Sequence, residues 1–316
     1  MHDKISEKLP SIKQITIGSR DSKLALVQSH YIRDLLLSKH PDLEITIKEI
    51  KTQGDKILDV ALAKIGDKGL FTKELEHELL EGTIDLAVHS AKDMPTKLPP
   101  ELEIIAFTKR EDIRDVVCLS ATTQAKSLQE AKVIASSSLR RVAQLKTLYP
   151  EKTFVDMRGN LQTRFKKLDD PINQIDAMIL AAAGLNRLDM QSRINEYLDP
   201  DLILPAVGQG ALAIEIKSNS KFKEVFKEAL NNSSDEILLL AERAMLRELE
   251  GGCQIPIGVN AKLLNDQIEI TGIVLSLDGS QSIKETIIEN IQNPEATGIK
   301  LAQRLINKGA KELLNR

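Results

Sequence analysis

The sequence predicts an α/β protein with two doubly wound domains followed by a smaller α+β domain. Three observations carry this. Compact apolar strands alternate with amphipathic helices through the first two thirds of the chain. Strands there end in polar turns rich in hydroxyls and arginine, and the arrangement occurs twice, at Ser19-Arg20-Asp21-Ser22 and at Ser136-Ser137-Ser138-Leu139-Arg140-Arg141. Beyond Val259, alternating apolar runs follow one another closely, the pattern of an antiparallel sheet.

In order, a short strand from Gln14 to Gly18 enters the first polar turn, and Ser22 caps a helix over 23–38 that carries Leu24, Val27, Tyr31 and Leu35 on one side. A strand follows over 43–50. The stretch 51–69 has three glycines and several lysines but no clean period, and it reads as a basic loop able to cover a site. A helix to Glu81 leads to the buried strand Ile84–Val88, which ends at His89-Ser90-Ala91-Lys92-Asp93. The strand over 102–107 and the polar residues 110–115 lead out of this unit, and strands over 115–119, 132–135, 153–156 and 177–181, with helices through Leu145 and toward Leu168, make the second unit. Leu204-Pro205-Ala206-Val207-Gly208-Gln209-Gly210 is too rich in turn residues for a strand, whereas 212–216 alternates well; whether it rejoins the first sheet stays open. Ser233-Ser234-Asp235-Glu236 reads as the cap of a helix through Glu248 in which Arg243 and Arg247 project off the apolar stripe. A last helix spans 294–314.

Composition removes several classes of function. A chain of 316 residues buries ample core without disulfides, and its two cysteines lack any metal-ligand or redox-pair spacing, so no metal is expected. A net charge of −3 and 3% aromatics disfavour nucleic-acid binding. No stretch reads as a signal peptide or membrane span, so a cytoplasmic protein with reduced thiols is expected.

Functional groups in doubly wound sheets gather beyond the carboxyl ends of strands. That rule selects Arg20 and Ser22 after the first strand, and Ser90, Lys92 and Asp93 after the strand at 84–88. In the second unit Arg140, Arg141, Arg158, Arg164 and Arg187 stand in short polar strings near predicted loops. Arginine in such turns grips carboxylates or phosphates with two parallel hydrogen bonds. Each position also admits a plainer reading as a cap, a surface ion pair or, for His89, a hydrogen-bonded core residue. Cys118 lies in an apolar strand and is a packing residue. Cys253, in Glu250-Gly251-Gly252-Cys253, sits in a turn where the thiol is presented, although an inert thiol is the commoner fate of a free cysteine.

Taken together, Ser90-Ala91-Lys92-Asp93, Ser137-Ser138-Leu139-Arg140-Arg141, Arg158-Gly159-Asn160, Pro205-Ala206-Val207-Gly208-Gln209-Gly210 and Glu250-Gly251-Gly252-Cys253 closely resemble the porphobilinogen deaminase family over nearly the whole length. The resemblance implies two domains of periplasmic-binding-protein type, one from 1–108 with 203–220 and one from 109–202, and a C-terminal cofactor-attachment domain over 221–316. It implies a dipyrromethane cofactor bound covalently through Cys253. On this primer four porphobilinogen molecules are deaminated and coupled head to tail, to leave as 1-hydroxymethylbilane. Asp93 is then the catalytic residue. Lys92, Ser90, Ser138, Arg140, Arg141, Arg158 and Arg187 hold the cofactor, and Arg20, Ser22, Gln28, Arg164, Lys64 and Lys68 serve the substrate and growing chain. Family membership further implies a cytoplasmic monomer in porphyrin and heme biosynthesis that passes its product to uroporphyrinogen-III synthase, with no nucleic-acid or membrane partner. Ala91 and Leu246-Arg247-Glu248 depart from the family pattern in packing positions.

The competing reading is a cytosolic, non-catalytic binding protein for a polycarboxylate, which the fold alone permits. A cysteine hydrolase is weaker because no histidine is visibly paired with Cys253. A dinucleotide-dependent dehydrogenase is weaker again, because Gly-x-Gly-x-x-Gly does not follow the first strand.

Overall fold

A computed structural model describes residues 14–56, 69–249 and 255–314. The first sheet runs β2-β1-β3-β10-β4, from strands Gln14–Arg20 (β1), Glu44–Ile50 (β2), Leu86–Ser90 (β3), Leu102–Phe107 (β4) and Leu212–Lys217 (β10). The second runs β7-β6-β8-β5-β9, from Asp115–Leu119 (β5), Val133–Ala135 (β6), Thr153–Val155 (β7), Ala177–Ala181 (β8) and Glu196–Tyr197 (β9). In each, parallel strands join an antiparallel strand that brings the chain across from the other lobe: β5 on the way out and β10 on the return. The segment at 212–217 therefore does rejoin the first sheet.

Both faces of the first sheet are covered, which is why its central strands are mostly apolar, the buried His89 of β3 and Glu215 of β10 being paired with each other. Ile15, Ile17, Leu86 and Ile214 pack with Ile32 and Leu36 of the helix Lys23–Lys39 (α1), while Ile50, Ile84 and Ala87 pack on the other side with Leu75 and Leu79 of Lys73–Glu81. The second sheet repeats this. Val116 and Cys118 face Phe165 and Leu168, and Val117 faces Leu145 and Leu128. Cys118 is fully buried, and burial pushes its thiol up to about 12, which makes it inert as expected.

The third unit is the antiparallel sheet Ile257–Leu264, Gln267–Leu275 and Ser282–Asn290, packed on the helices Ser233–Glu248 and Pro294–Asn307. Three sequence expectations are corrected here. Asn232, not Ser233, caps the helix 233–248, its side chain accepting from the Asp235 amide at 3.1 Å. Arg243 is buried and donates to the Pro95 carbonyl at 2.8 Å, because at this position the helix is packed between the third sheet and the first lobe. The last helix stops at Asn307, where Gly309 takes a left-handed φ of 96° and ends it, and a short helix resumes at Ala310.

The crossing between lobes is built from buried polar contacts. Arg110 donates to both carboxylate oxygens of Glu242, at 2.7 and 3.0 Å, and to the Gln209 carbonyl at 2.7 Å. Glu242 also accepts from the Gly208 amide at 2.9 Å. A helix of the third unit is thereby tied to both crossing segments.

Candidate active site

A cleft of about 760 Å³ opens between the two lobes. The first lobe contributes Arg20, at the end of β1, with its guanidinium 4.2 Å over the Phe71 ring, and Ser22, which caps α1 by accepting from the Ala25 amide. Gln28 donates to the Ser90 hydroxyl at 3.2 Å. Beyond Ser90 the chain forms a 3-10 turn over Ala91–Asp93 that presents Lys92 and Asp93 to the cleft. Gly208 lies directly behind this turn. Its φ is +74°, and a Cβ there would come within 3.1 Å of Ala91 Cβ and the Lys92 nitrogen, so the glycine string lets the return crossing back onto the turn.

The second lobe contributes Arg141, Arg158, Arg164 and Arg187. Arg164 donates to the Gly159 carbonyl at 2.7 Å and Arg187 to the Gly210 carbonyl at 2.7 Å. Arg158 keeps one buried guanidinium nitrogen, Nη1, without a hydrogen-bond partner. Ten residues singled out in the sequence therefore share one cleft: Arg20, Ser22, Gln28, Ser90, Lys92, Asp93, Arg141, Arg158, Arg164 and Arg187.

Two others, Ser138 and Arg140, are not among the residues that line it. Ser138 caps the helix Leu139–Leu148 (written α4), accepting from the Arg141 amide at 3.5 Å. Arg140 is buried and donates to Asp115 at 2.7 Å and to the Leu204 carbonyl at 2.6 Å. Cys253, Lys64 and Lys68 lie outside the described residues. His89 is buried, 3.0 Å from Glu215, as a paired core residue.

Sequence reasoning missed Asp115, Gln209, Arg110 and Glu242. A signal for the first existed: a carboxylate opening an otherwise apolar strand, in a chain with adjacent arginines to pair with it. Asp115 is fully buried. Burial opposes its charge, but the Arg140 and Arg141 guanidiniums outweigh that and hold the carboxyl well below the usual range.

The electrostatics are those of a crowded cationic site. Burial, helped by neighbouring Arg141 and Arg158, lowers Arg164 to about 10 against the opposing pull of Asp93 and Asp156. Burial likewise brings Lys92 down to about 8; Asp93 opposes the shift and Arg141 adds to it. Asp21 and Asp93 are the only acidic side chains lining the cleft among the described residues. Such a site favours an anion with several negative groups. One measurable consequence concerns Lys92: the substrate KM should climb as pH rises through about 8, where the amine loses its charge. Lys92→Arg, charged across that range, should flatten the climb, and a climb that survives the substitution would place the titration elsewhere.

Among the described residues, no group of histidine, cysteine, aspartate and glutamate could hold a metal ion, and no helix is long and apolar enough to cross a membrane.

Two lobes flanking a cleft lined with guanidiniums and the Asp93 carboxylate, with a third unit braced against the crossing, define a two-lobed α/β protein with a cationic cleft. Comparison with known proteins narrows this. The family model described as porphobilinogen deaminase, dipyromethane cofactor binding domain, matches residues 15–224, and the model of the porphobilinogen deaminase C-terminal domain matches 237–307. A porphobilinogen deaminase of Prochlorococcus marinus is 50% identical over 305 residues, spanning 96% of this chain and 95% of its own. One from Dictyostelium discoideum is 48% identical over 312 residues, 96% of either chain, and one from a Nostoc species is 47% identical over 96% of this chain and 94% of its own. The chain belongs to the porphobilinogen deaminase family. It is a transferase of tetrapyrrole biosynthesis that deaminates porphobilinogen and couples the units into hydroxymethylbilane, and a dipyrromethane cofactor comes with the family.

Proposed function

We propose that Asp93 carries the chemistry, that Cys253 anchors the dipyrromethane covalently, and that the cleft arginines hold the carboxylates of cofactor, substrate and growing chain. The observation that carries this reading is the excess of cations in the cleft: Arg164 is disfavoured in its charged form by burial and then by Arg141 and Arg158, and Arg158 Nη1 is buried with no acceptor. Carboxylates satisfy both, so the residues present fit a group bearing several of them.

When bound, the dipyrromethane supplies an electron-rich pyrrole terminus to which the first unit is added. The chain's residues do the rest. Arg141, Arg158 and Arg187, with Lys92 and Ser90, hold the two-ring primer. Arg20, Arg164, Ser22 and Gln28, and Lys64 and Lys68 from the neighbouring stretch, receive the incoming unit. Arg140 acts from behind the wall on Asp115, and Ser138 caps the start of α4. Asp93 stabilises the positive charge that develops on the aminomethyl carbon as the carbon–nitrogen bond breaks and ammonia leaves. It then takes the proton released from the ring carbon once the new carbon–carbon bond has formed. Repetition at one carboxylate requires the lengthening chain to move past it.

The same reading divides the chain into 1–108 with 203–220, 109–202 and 221–316. It makes the protein a cytoplasmic monomer that delivers an unstable linear product to uroporphyrinogen-III synthase.

Arg158→Gln tests the carboxylate role. Losing one charge-assisted contact should raise KM about tenfold or more and slow primer assembly on cofactor-free chain, with the melting temperature nearly unchanged. Unchanged KM and unchanged assembly, followed by intact mass, would remove Arg158 from the site.

A further inference from the structure

The cleft arginines differ in what holds them. Arg164 and Arg187 donate to main-chain carbonyls, whereas Arg141 donates to a carboxylate, Asp115, through Nη2 at 2.8 Å. The other bond Arg141 makes is a longer one, from Nη1 to the Ile179 carbonyl at 3.3 Å, and its Nε is buried without a partner. Asp115 is thus the one anion bonded to Arg141 among the described residues. The carboxylate has no other face to offer. Its second oxygen takes the Arg140 guanidinium at 2.7 Å, and the oxygen facing Arg141 also accepts from Gln209 Nε2 at 2.9 Å.

These partners matter because of where they sit. Asp115 is the first residue of β5, where the outbound crossing ends. Gln209 lies on the return crossing, as does Leu204, whose carbonyl accepts from Arg140 Nη1 at 2.6 Å and from Gln144 Nε2 at 3.1 Å. One buried carboxylate therefore joins the start of α4, which carries both arginines, to both segments that link the lobes.

We propose that Asp115 is a positioning residue for the reaction, fixing the Arg141 guanidinium at the cleft wall and referring its place, through Arg140 and Gln209, to the two crossings between the lobes. This rests on the reading that Arg141 receives pyrrole carboxylates. Two guanidiniums against one carboxylate leave a single net positive charge, and since Arg140 is turned from the cleft, that charge is expressed at Arg141. An arginine has several rotatable bonds. Held at one end by a fixed anion, it meets a carboxylate with little entropy left to lose; released, it must be ordered by the ligand itself.

The test uses Asp115→Asn and, because burying two unneutralised guanidiniums threatens the fold, the double variant Asp115→Asn/Arg140→Gln, which keeps the wild-type net charge at this point. Each is measured for cooperative melting, for KM and kcat with porphobilinogen, and for the rate at which cofactor-free chain gains mass on incubation with porphobilinogen. At least the double variant should melt cooperatively, with KM raised about tenfold or more, primer assembly slowed by a similar factor, and kcat much less affected. In an Arg141→Gln background, adding Asp115→Asn should change KM by less than about twofold, since its effect runs through Arg141. Three outcomes overturn the proposal: folded variants with wild-type KM and assembly; independent, multiplying effects of the Asp115 and Arg141 substitutions; or loss of cooperative melting in both variants, which makes Asp115 part of the folding core alone. If the wild-type chain itself gains no mass and releases no product, the reading of the cleft fails. If it does both and Asp115→Asn matches it, only the positioning role fails.

Discussion

Asp93→Asn should leave a chain that folds, acquires its primer slowly, and couples porphobilinogen about 10²- to 10⁴-fold more slowly than wild type. Asparagine keeps the shape and hydrogen-bonding reach of aspartate, and the 3-10 turn over Ala91–Asp93 is held by main-chain contacts, including the Ala91 amide to the Ala211 carbonyl at 3.0 Å. The charge is what is lost, and its surroundings make the loss severe. The cleft presents Lys92, Arg141, Arg158 and Arg164 to a reaction that generates positive charge when ammonia departs. Those cations suit the carboxylates of the pyrroles and oppose the transition state. One negative group among them is therefore worth more than it would be in a neutral pocket. Turnover by the asparagine variant within about tenfold of wild type, with KM unchanged, would remove Asp93 from the chemistry.

Cys253→Ser should abolish both the covalent addition and product formation. A thiol alkylates readily at an activated pyrrole methylene because its thiolate is accessible near neutral pH, whereas a serine hydroxyl stays protonated and is a poor nucleophile. Without a tether, the first coupling lacks an acceptor held in the cleft, and two free units must be brought together at the cost of their independent motion. Cys118→Ala is the internal control. Its thiol is fully buried in β5 and pushed up to about 12, so that variant should lose some stability and keep both the addition and the activity. Intact mass and product assays on the two variants separate the roles. A Cys253→Ser chain that still carries two pyrrole units and turns over would move the attachment elsewhere.

The strand, polar turn and helix units were legible because apolar period and cap chemistry are local: Ser22 caps α1 as its hydroxyl and position predict. The rule that functional groups gather beyond strand ends then brought Arg20, Lys92, Asp93 and Arg158 to one cleft. What local pattern leaves open is orientation and burial. Arg140 and Arg141 are neighbours in one string, yet consecutive helical residues point about 100° apart, so one lines the cleft and the other is turned into the wall. Nothing in the string says which. The helix Ser233–Glu248 was read with one solvent face because amphipathic period assumes one; packed between lobes and third sheet, it buries Glu242 and Arg243 as well as its apolar stripe. Asp115 and Gln209 escaped because their partners are brought to them by the crossings, a long-range feature.

The central claim is that a two-ring primer stays bound to Cys253 while the product is built wholly from new substrate. Chain carrying an unlabelled primer should be given ¹³C-labelled porphobilinogen, and both product and protein weighed after many turnovers. The released tetrapyrrole should be labelled in all four rings, and the protein should retain the mass of two unlabelled units, mapped to the Cys253 peptide. Unlabelled rings in the product, or a protein mass that drifts to the labelled value, would mean that the primer is consumed and would contradict it.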